Sequence, residues 1–244
     1  QIQARHLPAQ HDWICATGPI DSDNFDRCIL TGHYEESVPV YLFGDSQAGH
    51  LAFGLRAAAD NLDRALVVST TTSCPFILQG PEESRCNRFY EGSVEFLKVS
   101  RPGDAFIAFS LDHAPSEHSI ASFVRDVDEL TNLGHRIFLV GAVPHFGDGM
   151  EYDPKSCHLT VIGNDECFPT MSLEMALAKT SQFRAFETRV SNFQQLESIN
   201  LLPTLCQLDE CPTRRGDLVL YKDKSHISKS FSIELSRVFR RTLG

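Results

Sequence analysis

From Val38 onward the chain alternates apolar runs with amphipathic segments, and this alternation restricts the fold more than any other feature. The runs Val38–Phe43, Ala65–Thr71, Asp104–Ser110 and Arg136–Val143 are short and rich in Val, Ile, Phe and Thr. The last of them is almost continuously apolar, as a strand covered on both faces has to be. Between them lie segments with helical spacing: Ser46 to about Leu62, Phe89–Val99, and Ser116–Leu133, capped by Ser116 and stopped by Gly134. Ser172–Ser198 repeats the pattern with Phe183, Phe186, Val190, Phe193 and Leu196, and a last helix from Ser228 buries Phe231, Leu235, Val238 and Phe239. With Ile199–Leu205 as a fifth strand, the expectation is an α/β fold, a doubly wound parallel five-stranded sheet with crossover helices. Pro144–Thr170 has no periodicity and reads as a long loop.

At 244 residues and 42% hydrophobic content the chain can bury one sizeable core, and nothing in it resembles a linker. Residues 1–37 are polar, with Trp13, Cys15 and Cys28 as anchors, and read as an irregular arm stapled onto a domain of residues 38–244. A net charge of -10 argues against nucleic acid or an anionic membrane as partner, since both require a basic face. The eight cysteines fall into four close couples: Cys15 and Cys28, Cys74 and Cys86, Cys157 and Cys167, Cys206 and Cys211. None has the spacing of a structural zinc site, and all lie in expected loops. Disulfides between neighbours are therefore expected, in an oxidising compartment such as a periplasm or secretory lumen. The chain shows no signal peptide or membrane span, and it reads as the soluble part of something longer. No residue pattern calls for a metal or cofactor.

Two short motifs carry the chemistry. Gly44-Asp45-Ser46 ends the first strand and opens the first helix, so Ser46 stands where the helix N-terminal amides face developing negative charge. Asp223 and His226 are spaced so that the carboxylate can orient the imidazole. Alone, the first motif is more often a helix cap, and the second a cap with a surface histidine or half of a metal site. Together they are more telling, because both strand ends emerge at the carboxyl edge of a doubly wound sheet, where ligands bind.

Gly44-Asp45-Ser46 and Asp223-Lys224-Ser225-His226 resemble the first and last blocks of the SGNH (GDSL-type) hydrolase superfamily. The resemblance spans residues 38–244 and implies a three-layer α/β/α flavodoxin-like fold. It also implies Ser46 as nucleophile, His226 as general base and Asp223 as its orienter. Cys74-Pro75 after the second strand, the later cysteine couples and Leu220-Tyr221-x-Asp223-x-x-His226-Ile227-Ser228 look most like the periplasmic SGNH domain fused to membrane acyltransferase-3 proteins. Those proteins O-acetylate cell-surface glycans. The likeness implies acetyl transfer to a glycan through an acyl-serine, the donor being delivered by a membrane acyltransferase part of a longer chain. The alternatives are a carbohydrate esterase using the same residues and a glycan-binding domain without turnover.

The superfamily's usual oxyanion donors, a glycine after the second strand and an asparagine after the third, are replaced by Thr70-Thr71-Thr72-Ser73 and Ser110-Leu111-Asp112-His113. Gly163-Asn164-Asp165 reads as a turn. Gln47, Ser73 and His113 are then the candidates for oxyanion or substrate contacts. His50, four residues after Ser46, either lines the pocket or packs beneath it.

Overall fold

The computed structural model describes residues 20, 25–79, 84–147, 152, 154, 167–192 and 195–244. A short helix α1 (Phe25–Cys28) and strand β1 (Ile29–Thr31) lead into β2 (Val40–Gly44) and helix α2 (Ser46–Asp60). Then follow β3 (Leu66–Thr70), α3 (Arg85–Val99), β4 (Asp104–Ala108), α4 (Glu117–Asn132) and β5 (Arg136–Val140). Beyond the long connection come β6 (Thr170–Ser172), α5 (Leu173–Lys179), α6 (Ser181–Val190), β7 (Leu196–Ile199) and α7 (Leu202–Leu205). The chain continues through β8 (Glu210–Pro212), β9 (Arg214–Arg215), β10 (Leu218–Val219), α8 (Lys229–Glu234) and α9 (Ser236–Leu243).

The central sheet has six strands in the order β1-β3-β2-β4-β5-β7. All pairs are parallel except β1 with β3. The five parallel strands thus follow the flavodoxin-like order, with its switch point at β2. Successive side chains along each strand go to opposite layers. Val40, Leu42, Phe106 and Phe138 pack under α2, α8 and α9, against Leu51, Leu55, Phe231 and Phe239. Tyr41, Phe43, Ile107 and Leu139 face α3, α4 and α6. Every residue of β2, β3 and β4 is buried, which accounts for their largely apolar runs. Each fully buried Phe contributes about 2–3 kcal/mol of transfer free energy.

Five boundaries differ from expectation, one of them in the last helix, which is interrupted at Leu235 between α8 and α9. The sheet gains an antiparallel edge strand, β1, from the arm expected to be irregular. Its three half-buried residues carry no pattern that would mark a strand. The fifth parallel strand is Leu196–Ile199 rather than Ile199–Leu205. Pro203 lies in the first turn of α7, where a missing N–H is harmless, whereas it would break a sheet ladder. The expected helix Ser172–Ser198 is interrupted at Thr180, whose hydroxyl donates to the Ala176 carbonyl at 2.9 Å and whose residue ends α5 and begins α6. Helix α3 starts at Arg85, capped by Ser84, one turn before the expected Phe89.

Disulfides join Cys74 to Cys86 and Cys206 to Cys211, as neighbour pairing expects. Cys28 and Cys167 are also disulfide-bonded, while Cys15 and Cys157 lie outside the described residues. Trp13 and the Gly163-Asn164-Asp165 turn lie outside them as well.

Helices α2 and α8 meet very closely: a Cβ on Gly54 would stand 2.0 Å from the Ser232 carbonyl oxygen. The Gly54 amide donates to Ser232 Oγ at 2.9 Å across the same contact. This approach brings the helix that begins at Ser46 against the one that follows His226. No helix among the described residues is long and apolar enough to cross a membrane.

Candidate active site

The register of the sheet sets up the site. Gly44 pairs with Thr70 on one side and Ala108 on the other, so the turns after β2, β3 and β4 open at the same edge. Gly44 has φ of 145°, and a Cβ there would lie 1.8 Å from the Ala108 carbonyl oxygen. Only glycine fits this turn. Asp45 then caps α2: its Oδ1 accepts from the Gln47 amide at 2.7 Å. Its Oδ2 accepts from both the amide and the hydroxyl of Ser110, each at 2.9 Å. Burial pushes this carboxyl up to about 6, against the lowering effect of those hydrogen bonds. Asp45 therefore joins the turn that carries Ser46 to the loop after β4.

The segment carrying His226 lies just before α8, whose N-cap is Ser228. The Lys222 amide donates to the His226 carbonyl at 2.9 Å, and Tyr221 bridges to Ile227, which closes a tight loop. Within it, Asp223 Oδ1 accepts from the Ser225 and His226 amides, both at 3.0 Å. His226 Nδ1 lies 2.8 and 2.9 Å from the two Asp223 oxygens, and its Nε2 lies 2.9 Å from Ser46 Oγ. An ionised carboxylate only accepts, so Nδ1 carries the proton and Nε2 is left as acceptor for the Ser46 hydroxyl. Burial pushes the Asp223 carboxyl up, but the His226 and Ser225 hydrogen bonds and the nearby positive charge outweigh it and leave the carboxyl below its usual range. It stays ionised throughout the neutral range.

A cavity of about 350 Å³ opens beside Ser46, walled by Ser73, Gln79, Leu111, Asp112 and His113. Ser73 is held in a tight turn. Its φ is 58°, the Cys74 amide closes back onto the Thr71 carbonyl at 3.2 Å, and Arg85 Nη2 donates to the Thr72 carbonyl at 2.7 Å. The disulfide to Cys86 anchors the far side of the turn.

Ser46, Asp223 and His226 thus come together in hydrogen-bonding order, and Ser73 and His113 face the same cavity. Gln47 is not among its lining residues. It is buried, and its side-chain Nε2 donates to the Ser225 carbonyl at 2.8 Å. His50 is also buried, and its ring packs on His226. Two features went unread in the sequence: the clamp of Asp45 on Ser110, and the use of Ser225 as a bridge. The first is half visible, since a serine opens the loop after the third expected strand. The second joins residues far apart in the chain and leaves no local signal.

A polarised serine at the switch point of a flavodoxin-like sheet, with its imidazole and carboxylate brought from the far end of the chain, defines an SGNH-type α/β domain. The family model "SGNH domain (fused to AT3 domains)" matches residues 14–241, and the chain belongs to that family. Among solved structures it is similar to the periplasmic domain of the lipopolysaccharide acetyltransferase of Salmonella ser. Paratyphi A. The TM-score is 0.69 at 16% identity, over 94% of this chain and 92% of that one. A putative acylhydrolase from Bacteroides fragilis gives a TM-score of 0.49 at 8% identity, over 88% and 92%. Comparison of the sequence with curated proteins yields no match.

Proposed function

We propose that this chain is an enzyme that transfers an acyl group, most simply acetyl, to a hydroxyl of a cell-surface glycan, with Ser46 as nucleophile, His226 as general base and Asp223 as orienter of His226. The observation that carries this reading is the 2.9 Å contact of His226 Nε2 with Ser46 Oγ in a ring already fixed by Asp223. His226 takes the Ser46 proton as Oγ adds to the acyl carbonyl carbon, and the carbonyl electron pair moves to oxygen. The Ser46 amide at the start of α2 faces that oxyanion, with the helix dipole behind it. Collapse expels the donor's leaving group, which takes the proton from Nε2, and leaves acyl-Ser46. An acceptor hydroxyl then gives its proton to Nε2 and attacks the ester, and Ser46 regains its proton as it leaves.

The related acetyltransferase domain from Salmonella supports acetyl as the group, a glycan as acceptor and the periplasm as location. The family's fusion to AT3 domains supports delivery of the donor by a membrane acyltransferase part of a longer chain. Ser73 and His113 are then the pocket contacts to substrate.

The test is intact mass after incubation with an activated acetyl ester, with and without an oligosaccharide. One acetyl group on the protein, absent in Ser46→Ala and passed to sugar, is the expected result. Ser46→Ala and His226→Ala should each lose about 10³-fold or more of the rate. Fast transfer to water regardless of acceptor makes the chain an esterase. A folded protein with no adduct and no turnover makes it a glycan-binding domain.

A further inference from the structure

His50 stands one turn along α2 from Ser46, so the helical period returns it to the same side. Its ring centroid lies 4.2 Å from that of His226, with the planes inclined by 39°. The side chain is 8% exposed, and its Nε2 is buried without a hydrogen-bond partner. Such a nitrogen forfeits its bond to water and receives nothing in exchange. Charged and titratable groups reach this ring from the loop before α8, namely His226, Lys222 and Asp223, while Asp45 faces His226 from the start of α2. Burial first, then the positive charges of His226 and Lys222, push the imidazole down to about 2, so the ring is neutral wherever the protein is folded and working.

We propose that His50 is a positioning residue for the acyl transfer: a ring packed at a tilt against His226 that holds the imidazole in line with Ser46 while it gains and loses the proton. The inference rests on the reading of Ser46 and His226 as nucleophile and base. Before the reaction, His226 is tied at both nitrogens, to Asp223 and to Ser46. Once Ser46 is acylated its hydroxyl proton is gone, and the second tie is lost. The imidazole must still meet an incoming hydroxyl at the same point, held at Nδ1 by Asp223 and Ser225 Oγ along one edge and by the His50 ring on one face. An uncharged neighbour also tolerates the cation that His226 becomes, which a second charged ring would repel. The acceptor step therefore depends on His50 more than the acylation step does.

The experiment uses the purified chain, an activated acetyl ester as probe, and the variants His50→Ala, His50→Leu and His50→Phe. Acylation and deacylation are timed separately by rapid-quench intact mass, and the Nδ1 proton shared with Asp223 is followed by its downfield NMR resonance. His50→Ala should lower kcat about tenfold or more, a usual consequence of a misplaced catalytic group. KM should fall in parallel with kcat, leaving kcat/KM within about twofold because that ratio reports acylation alone; acyl-enzyme should accumulate, and the NMR resonance should broaden. His50→Phe, which keeps the ring and lacks the nitrogens, should restore deacylation to within about threefold. Unchanged deacylation in His50→Ala, or a His50→Phe as slow as His50→Ala, overturns the proposal. Should His50→Ala fail to fold, His50→Leu fills the space without a planar face, and equal rates for Leu and Phe overturn it as well. Ser46→Ala is run alongside: full activity there removes the underlying assignment of nucleophile, whereas an inactive Ser46→Ala beside a normal His50→Ala removes only the inference about His50.

Discussion

Gln47 Nε2 donates to the carbonyl oxygen of Ser225 at 2.8 Å, a contact between residues 178 apart in the chain. It joins the residue after Ser46 to the residue before His226, so the spacing of Ser46 and His226 is held by more than the bond between them. Gln47→Ala keeps α2 and its cap but removes this tie. The rate should fall about tenfold with KM nearly unchanged, because the loss is in alignment rather than in binding. Gln47→Glu, which sets a carboxylate against a carbonyl oxygen, should be slower still. Steady-state kinetics on the two variants, with circular dichroism to check the fold, decides this; a kcat equal to that of the parent in both would refute it.

The disulfide between Cys74 and Cys86 fixes the turn that presents Ser73 to the cavity. It plays no part in aligning Ser46 with His226. Replacing both cysteines with alanine should cost about 2–4 kcal/mol of stability, as for the loss of a cross-link closing a short loop. KM for the ester should rise severalfold, with a smaller change in kcat. Melting temperature and the two kinetic constants measure these effects separately.

Stability should depend on pH through His50. Its folded-state value of about 2 lies below the ordinary 6.5, so below pH 6.5 the unfolded chain takes up a proton that the folded chain refuses. Stability therefore drops as the pH falls through that range. Asp45 acts in the opposite sense: its carboxyl, raised from 3.8 to about 6, favours the folded state at low pH and loses that contribution as pH rises through 6. The two partly cancel in the parent protein. In His50→Phe only the histidine contribution is removed, so the variant's stability advantage over the parent should grow by about 2 kcal/mol between pH ~7.5 and pH ~5. Urea denaturation of both proteins at the two pH values gives the figure directly, and a constant difference would rule the effect out.

The parts of this molecule that were legible beforehand are those fixed by short-range physics. Strands buried on both faces show largely apolar runs, and β2 to β5 stand where such runs occur. Ser84, Ser116 and Ser228 cap helices because a serine oxygen accepts an N-terminal amide; the start at Ser116 is readable on that ground, and the one at Ser228 from the apolar spacing that follows it. Ser46, Asp223 and His226 were readable because each sits in a short motif. What the chain hides is long-range or marginal. Strand β1 has three half-buried residues and is defined by its partner β3. The apolar run beginning at Ile199 is equally compatible with strand and short helix, and Pro203 was the available sign of a helix. The tie from Gln47 to Ser225, the clamp of Asp45 on Ser110 and the packing of His50 on His226 depend on the closed fold and have no sequence period.

The close meeting of α2 with α8 at Gly54 also bears on when this protein can act. Ser46 precedes His226 by 180 residues in the chain, and the two are brought into contact only once the last helices have docked on the sheet. Until then Ser46 is an ordinary, unactivated alcohol. Under the proposed function, a nascent, misfolded or clipped copy without that docked layer has no competent nucleophile, so it should not consume acyl donor unproductively. Completion of folding is in this sense the first control on catalysis.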